Sequence, residues 1–312
     1  MLRYIMRRLL LVAVSASGVC VAVFLLVRFI PGDVAVVYMG DSFQPDRAPV
    51  IRQQLGLDLP LHQQFGLWVR NVVTGRWNSF FSGRSVFEEL AERVPVSAEL
   101  AGLGLAFALL IAFPLGVLSA VRATPVIDHS SRILAVLGLS VPNFWAALLL
   151  VLLLVSVFQW VPPLLYVSPS EDLWQNLQQM FFPALIVGFE TAAGIMRVLR
   201  TSLLEVLRSD YIRTAWAKGL RERSVIARHA LKNAMAPVLT VIGLDVGRLV
   251  GGLVIVEMVF VVPGAGRFIV QSIMQRDYPQ IQANIILIAL LFLLVNLFVD
   301  LAYAWLDPRI RY

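Results

Sequence analysis

Cysteine, lysine and histidine are nearly missing from this sequence. The one cysteine, Cys20, lies inside the first apolar run, so neither a disulfide framework nor a Cys-based metal site can be built within the chain. The three histidines, His62, His129 and His229, are scattered and show no metal-ligand spacing. The two lysines, Lys218 and Lys232, stand in no Gly-x-x-x-x-Gly-Lys-[Ser/Thr] phosphate loop, so the chain cannot hydrolyse ATP itself. There is no His-Glu-x-x-His pair, and Ser140, after Gly138-Leu139, lacks the second glycine of a nucleophile elbow. A membrane-embedded enzyme therefore has no visible catalytic centre. Charge is scarce too, at 15% of 312 residues, against about 25% in a soluble domain.

What is present is apolar. Hydrophobic residues make up 59% of the chain, and the mean hydropathy is +0.78. A membrane is part of this chain's solvent. The net charge of +6 fits a membrane protein with Lys and Arg gathered on its cytoplasmic side, and fits nucleic-acid binding poorly. Leu9 to Val27 is uncharged over 19 residues and follows Arg3, Arg7 and Arg8. Arg28, Phe29, Ile30 and Pro31 come next instead of a small-residue cleavage site, which predicts an uncleaved first span. Further spans are predicted at Leu100–Val121, Ile133–Tyr166, Phe181–Leu199, Pro237–Val262 and Ile281–Val299, because a hydrocarbon core of roughly 30 Å needs about 20 residues. Trp160, Pro162 and Pro163 should end the third at an aromatic belt. With the N-terminus inside, 16 basic residues fall on inner segments and 8 on outer ones, in accord with the positive-inside rule. Three regions follow: a first span over 1–30, an outer segment over 31–98 with amphipathic stretches at Val50–Leu55 and Leu61–Val73, and a five-helix core over 99–312.

The cytoplasmic loop near 200–236 is the most informative stretch. Arg200 to Lys232 holds eight basic residues and three acids, Glu205, Asp210 and Glu222. Asp210 is placed to cap a short helix and Gly219 to end it at C′. Ala215, Ala217 and Gly219 remove bulk from the tip, as a helix docking closely into a partner's groove requires. Arg221 to Met235 reads as a second basic helix, with Pro237 in the first turn of span five. Composition alone is equally met by a solvated basic loop that docks with nothing.

The wording of this loop sharpens the reading. Asp210-Tyr-Ile-Arg-Thr-Ala-Trp-Ala-Lys-Gly219-Leu220, followed by Arg228-His-Ala-Leu-Lys-Asn-Ala-Met-Ala-Pro237, resembles the EAA coupling loop of ABC importer permeases, and within them the dipeptide/oligopeptide/nickel branch. The opening Met1-Leu-Arg-Tyr-Ile-Met-Arg-Arg8 is similar to that family's N-terminus. So are Ile30-Pro-Gly-Asp33, Leu55-Gly-Leu-Asp58, Ser140-Val-Pro-Asn-Phe-Trp145, Pro263-Gly-Ala-Gly-Arg267, Arg276-Asp-Tyr-Pro279 and Leu306-Asp-Pro-Arg-Ile310 to later parts of it. The long segment after span one resembles the B-type subunit of the permease pair. The sequence departs from the family wording at Val34, at Gly75-Arg-Trp-Asn-Ser79 and at Trp216.

The resemblance implies an all-α fold of six transmembrane helices, the type I importer permease fold. It also implies a second permease subunit, two cytoplasmic ATPase subunits that bind ATP and Mg, and an extracytoplasmic solute-binding protein. The chain itself would hold no cofactor and no metal and touch membrane lipid, not nucleic acid. Coupling to the ATPases falls to Asp210, Tyr211, Ala215, Ala217, Lys218, Gly219, Leu220, His229 and Asn233, with Ala215, Lys218 and Gly219 at the contact. Peptides are the expected cargo; nickel or its chelates, glutathione and opine-like solutes stay open. Charges inside spans usually face an interior or a water-filled path. Glu190, Asp245 and Arg248 are candidates for that path or for a structural pair at a subunit interface. Asn143 either lines the path or caps a helix start. Arg197 should snorkel to the inner surface, Glu257 should lie near the outer end of its span, and Asp300 at a span boundary.

Overall fold

A computed structural model describes residues 2–29, 34–39, 44–122, 133, 136–138 and 140–306. Ile30-Pro-Gly-Asp33, His129, Arg132, and Arg309 and Arg311 in the closing fragment lie outside the described residues. The described chain is helical, and an isolated antiparallel bridge between Asn78 and Ser85 is its one extended pairing.

The elements are α1 (Leu2–Phe29), α2 (Val34–Met39), a 3-10 turn (Pro45–Arg47), α3 (Ala48–Gln54), α4 (Leu61–Val73), α5 (Val86–Val121), α6 (Asn143–Ser156), α7 (Leu173–Leu207), α8 (Asp210–Ala217), α9 (Leu231–Gly252), α10 (Val254–Val259), α11 (Ala265–Met274) and α12 (Tyr278–Leu306). Five helical segments are long and apolar enough to cross a membrane: Ile5–Phe29, Val86–Val121, Leu173–Leu207, Glu222–Leu249 and Tyr278–Val299. The sixth apolar helix, α6, has 14 residues, or about 21 Å of rise. It stops at Ser156, ahead of Trp160 and the two prolines.

The helices run alternately up and down. Gly104 of α5 lies against Val187 of α7, Gly116 against Leu199, and Gly188 against the Gly104 carbonyl and Phe107. These pairings rise together, so α5 and α7 are parallel and close, and a methyl added at Gly188 would stand 2.7 Å from the Gly104 oxygen. Glycine is required there because the backbones touch. Gly102 and Gly251, by contrast, have open space before them. Helix α6 is antiparallel to α7, with Gly138 at Ala193 and Trp160 at Phe182. Helix α9 is antiparallel to α7, through Ser202 and Ala234, and to α12, through Gly243 and Val299. Helix α1 is antiparallel to α12, with Val27 beside Tyr278 and Ile281. The first residues of α1 and the last of α12 therefore share one end of the bundle with α8. Helices α2–α4, α10 and α11 share the other.

Several sequence expectations shift. Helix α5 begins fourteen residues before Leu100, so the boundary at 98/99 falls inside it. The run Pro237–Val262 is two helices, not one span: α9 ends at Gly252 and α10 follows. Pro237 is the seventh residue of α9, not its first turn. A helix starting further back in the basic loop absorbs the proline, as helices packed in a membrane bundle do. Arg221–Met235 is likewise not one regular helix, since Val225–Ala230 is a π-turn leading into α9. Asp210 is the first helical residue, and Ser209 the N-cap. Glu257 is fully buried. Its carboxylate accepts from Ser97 Oγ at 2.6 Å and from the Arg267 N–H at 2.7 Å, and Ser97 Oγ in turn accepts from the Ala265 N–H at 2.8 Å.

Candidate functional site

Two sites are built on the same pair of helices. The first is α8. Its inward residues, Ile212 and Ala215, are buried with Ala120, Leu203, Val225, Ala230 and Ala234. These come from α5, α7, the π-turn and α9, so the short helix rests on the ends of three long ones. Outward lie Tyr211, Arg213, Trp216, Ala217, Lys218 and Leu220. Lys218 is the C-cap, and Gly219 follows with φ +74°, the left-handed geometry that glycine adopts freely. No atom lies within 4 Å of where a Gly219 side chain would begin. The tip is bare because the backbone turns there, not because neighbours crowd it. The Asn233 amide donates to the Tyr211 hydroxyl at 2.9 Å and to the His229 carbonyl at 2.8 Å, tying α8 to the π-turn.

The second site is a cavity of about 370 Å³ between α6, α7 and α9. On α7 its wall is Val187, Glu190, Thr191, Gly194, Arg197 and Val198, a spacing of three and four that makes one helix face. On α9 it is Val241, Asp245, Arg248 and Leu249. Arg248 bonds Asp245 at 3.4 Å, with the arginine side chain 79% exposed and the aspartate 13%. The Asn143 amide donates to Glu190. Glu190 and Arg197 are exposed on the single chain. A carboxylate and two guanidiniums cannot face hydrocarbon in midspan at tolerable cost. This face must therefore meet water or protein.

The family described as binding-protein-dependent transport system inner membrane component matches residues 112–312, and its N-terminal companion, the membrane component's N-terminal region, matches residues 1–101. The chain belongs to this permease family. It is 37% identical to the dipeptide transport system permease protein DppB of Alkalihalophilus pseudofirmus, over the full length of both chains. It is 37% identical to the DppB protein of Escherichia coli K12, covering 100% of this chain and 99% of the relative. To the glutathione transport system permease protein GsiC of Escherichia coli O1:K1 / APEC it is 40% identical over 100% of both. The chain is thus a multi-pass, all-α membrane permease of a binding-protein-dependent ABC importer.

The permease brings Asn143, Glu190, Asp245 and Arg248 into one cavity. Arg197, expected at the inner surface, lines the same cavity; its spacing from Glu190 and Gly194 was the available signal. Asp210, Tyr211, Ala217, Lys218, Gly219 and Leu220 are outward at α8, with His229 and Asn233 behind them. Ala215 points into the permease's own core, so its small side chain seats the helix instead of meeting a partner. Trp216, noted in the sequence only as a departure, is 46% exposed beside the tip. The Ser97–Glu257–Arg267 network, and the buried Asp277 that accepts from Ser79 and from the Phe80 N–H, were not foreseen as ties, because residues 160 to 200 positions apart give no sequence signal.

Proposed function

We propose that this permease moves short peptides inward across the cytoplasmic membrane of a bacterium, with both termini cytoplasmic, as one half of a permease pair driven by two ATPase subunits and fed by an extracytoplasmic binding protein. The dipeptide relatives support this cargo, and the joint polarity of the cavity fits it: Glu190 and Asp245 can meet an amino terminus, and Arg197 and Arg248 a carboxylate. One observation carries the mechanism. Helices α7 and α9 line the charged cavity and also form the seat of α8. Leu203 stands thirteen residues beyond Glu190 on α7, or about 20 Å. Motion imposed on α8 by an ATPase is delivered to the cavity walls through two rigid rods, as a rigid-body switch requires. Trp216, Lys218 and Gly219 form the contact, and the second permease covers the charged face. The work comes from ATP bound with Mg in the partner subunits.

The test is a transporter reconstituted with all subunits. Trp216→Asp, on the outer face of α8, should leave membrane insertion and thermal stability unchanged while ATPase co-purification and dipeptide uptake both fall. Gly219→Val should keep the ATPase bound and uncouple its hydrolysis from uptake. Normal uptake by both variants sinks the coupling assignment. Uptake of glutathione or nickel in place of dipeptides sinks the cargo.

A further inference from the structure

Two cavities at the end opposite α8 share a wall, and their linings differ in kind. The first, of about 520 Å³, is framed by the end of α1, by α2 and α4, and by the start of α12. It presents Arg28 and Arg76, and no acidic residue is among its lining side chains. Three N–H groups of Arg28 are used, all on neutral oxygens: two on Gln64 Oε1 at 3.1 and 2.9 Å, one on the Phe24 carbonyl at 2.9 Å. Its guanidinium also lies 3.4 Å above the Phe24 ring. Two of its five donors and its whole charge stay unanswered among the described residues. Tyr278 lines the same cavity. It is 97% buried, and its hydroxyl has no hydrogen-bond partner among the described residues.

The second cavity, of about 840 Å³, is a groove between α1, α4, α5 and α12. Its walls include Cys20, Phe65, Val72, Ala91, Ile286 and Leu290, with no charged residue among them. Trp68 and Trp77 line both cavities. The order of linings repeats on two antiparallel helices. On α1, Arg28 lies in the polar cavity and Ala16 to Val21 in the groove. On α12, Tyr278 and Gln282 lie in the polar cavity and Ala283 to Leu290 in the groove. Eight to twelve residues of helix is about 12–18 Å, close to half the roughly 30 Å hydrocarbon core. Helix α4 lies between, with Gln64 and Asn71 toward the polar cavity and Phe65, Val69 and Val72 toward the groove.

We propose that this is a binding site for one anionic phospholipid, its phosphate with Arg28, Arg76 and the Tyr278 hydroxyl, and one acyl chain in the groove behind Trp68 and Trp77. The charge balance selects the class. Two guanidiniums attract a phosphate, and no carboxylate is among the described lining residues to meet the amine of a zwitterionic headgroup. Three of the helices that bound the groove, α1, α5 and α12, are long and apolar enough to span the membrane, so an apolar chain reaches it directly from the bilayer.

The test is native mass spectrometry of the complete transporter released from vesicles of phosphatidylglycerol and phosphatidylcholine in equal parts. The wild type should retain phosphatidylglycerol over phosphatidylcholine. Arg76→Gln, which removes an exposed side chain with no bond to lose, should weaken retention about fivefold, and adding Arg28→Gln should weaken it about as much again. Ala91→Trp, filling the groove from an exposed position, should weaken it with both arginines intact. Glycerophosphate at equal concentration should not compete, because it lacks the acyl chain. Equal retention of both lipids, retention unchanged in the three variants, a groove filled by a helix of another subunit, or full competition by glycerophosphate would each overturn the proposal.

Discussion

The two ends of this bundle are held together by different forces. At the α8 end the grip is mainly apolar: Ile212 and Ala215 sit on small and branched side chains from α5, α7, the π-turn and α9. Apolar burial is non-directional, so such a seat stays favourable as α8 rocks by a few degrees. At the opposite end, apolar clusters around Trp77 and Tyr278 are joined by buried polar, directional bonds. Glu257 accepts from Ser97 and from the Arg267 N–H, Asp277 from Ser79 and the Phe80 N–H, and Asp172 caps α7 through the N–H groups of Trp174 and Gln175. Tyr166 donates to Glu99 at 2.6 Å. Burial first, and then that carboxylate, raise the pKa of its phenol, so it stays a donor. Buried carboxylates bonded to backbone N–H groups fix angles as well as distances. Under the coupling proposed above, the α8 end is the one that moves, and its non-directional seat matches that task.

Breaking the framework should have the largest effect. Glu257→Ala leaves Ser97 and the Arg267 N–H without their buried acceptor, and should cost about 3 kcal/mol. Thermal unfolding in detergent reads this as a marked fall in Tm, and Glu257→Gln, which keeps one acceptor, should fall between. An alanine variant as stable as the parent would show that the framework end is held by packing after all. Ile212→Ala should come next, at about 2 kcal/mol, but locally. Amide exchange over residues 210–217 should speed up while α5 and α7 stay protected. If protection fell across the bundle instead, the α8 seat would be part of the framework and the contrast would fail.

The division was only half legible in the sequence. Apolar run lengths placed four of the long helices, α1, α5, α7 and α12, since a bilayer imposes a length on any helix that crosses it, and α4 matches its predicted range because its apolar face recurs at helical spacing. Gly219 was legible because a left-handed C′ position has its own residue preference. Helix starts were less so. Helices α5 and α7 begin well before their apolar cores, as Val86 and Leu173 show, because their first turns mix charged or polar residues with apolar ones and so carry no long apolar run. The cavity residues Glu190, Asp245 and Arg248 stood out as charges in apolar text. The staples of Glu257 and Asp277 did not, because their partners arrive from distant helices. Ala215 misled for a related reason: a small residue at a helix tip serves equally to admit a partner or to admit the chain's own core.

The smallest expected effect sharpens the comparison most. Tyr211→Phe removes the hydroxyl that accepts from Asn233, one polar tie between α8 and the first turn of α9. Both residues are exposed, so water replaces the lost partner and the stability cost should be about 0.5 kcal/mol or less. Asn233 also keeps its bond to the His229 carbonyl. If apolar seating alone positions α8, uptake per ATP hydrolysed should then match the wild type in reconstituted transporters, with Tm unchanged. A normal Tm with a clear fall in that ratio would give a directional bond a share in positioning α8. The apolar seat would then hold the helix in place without setting its angle.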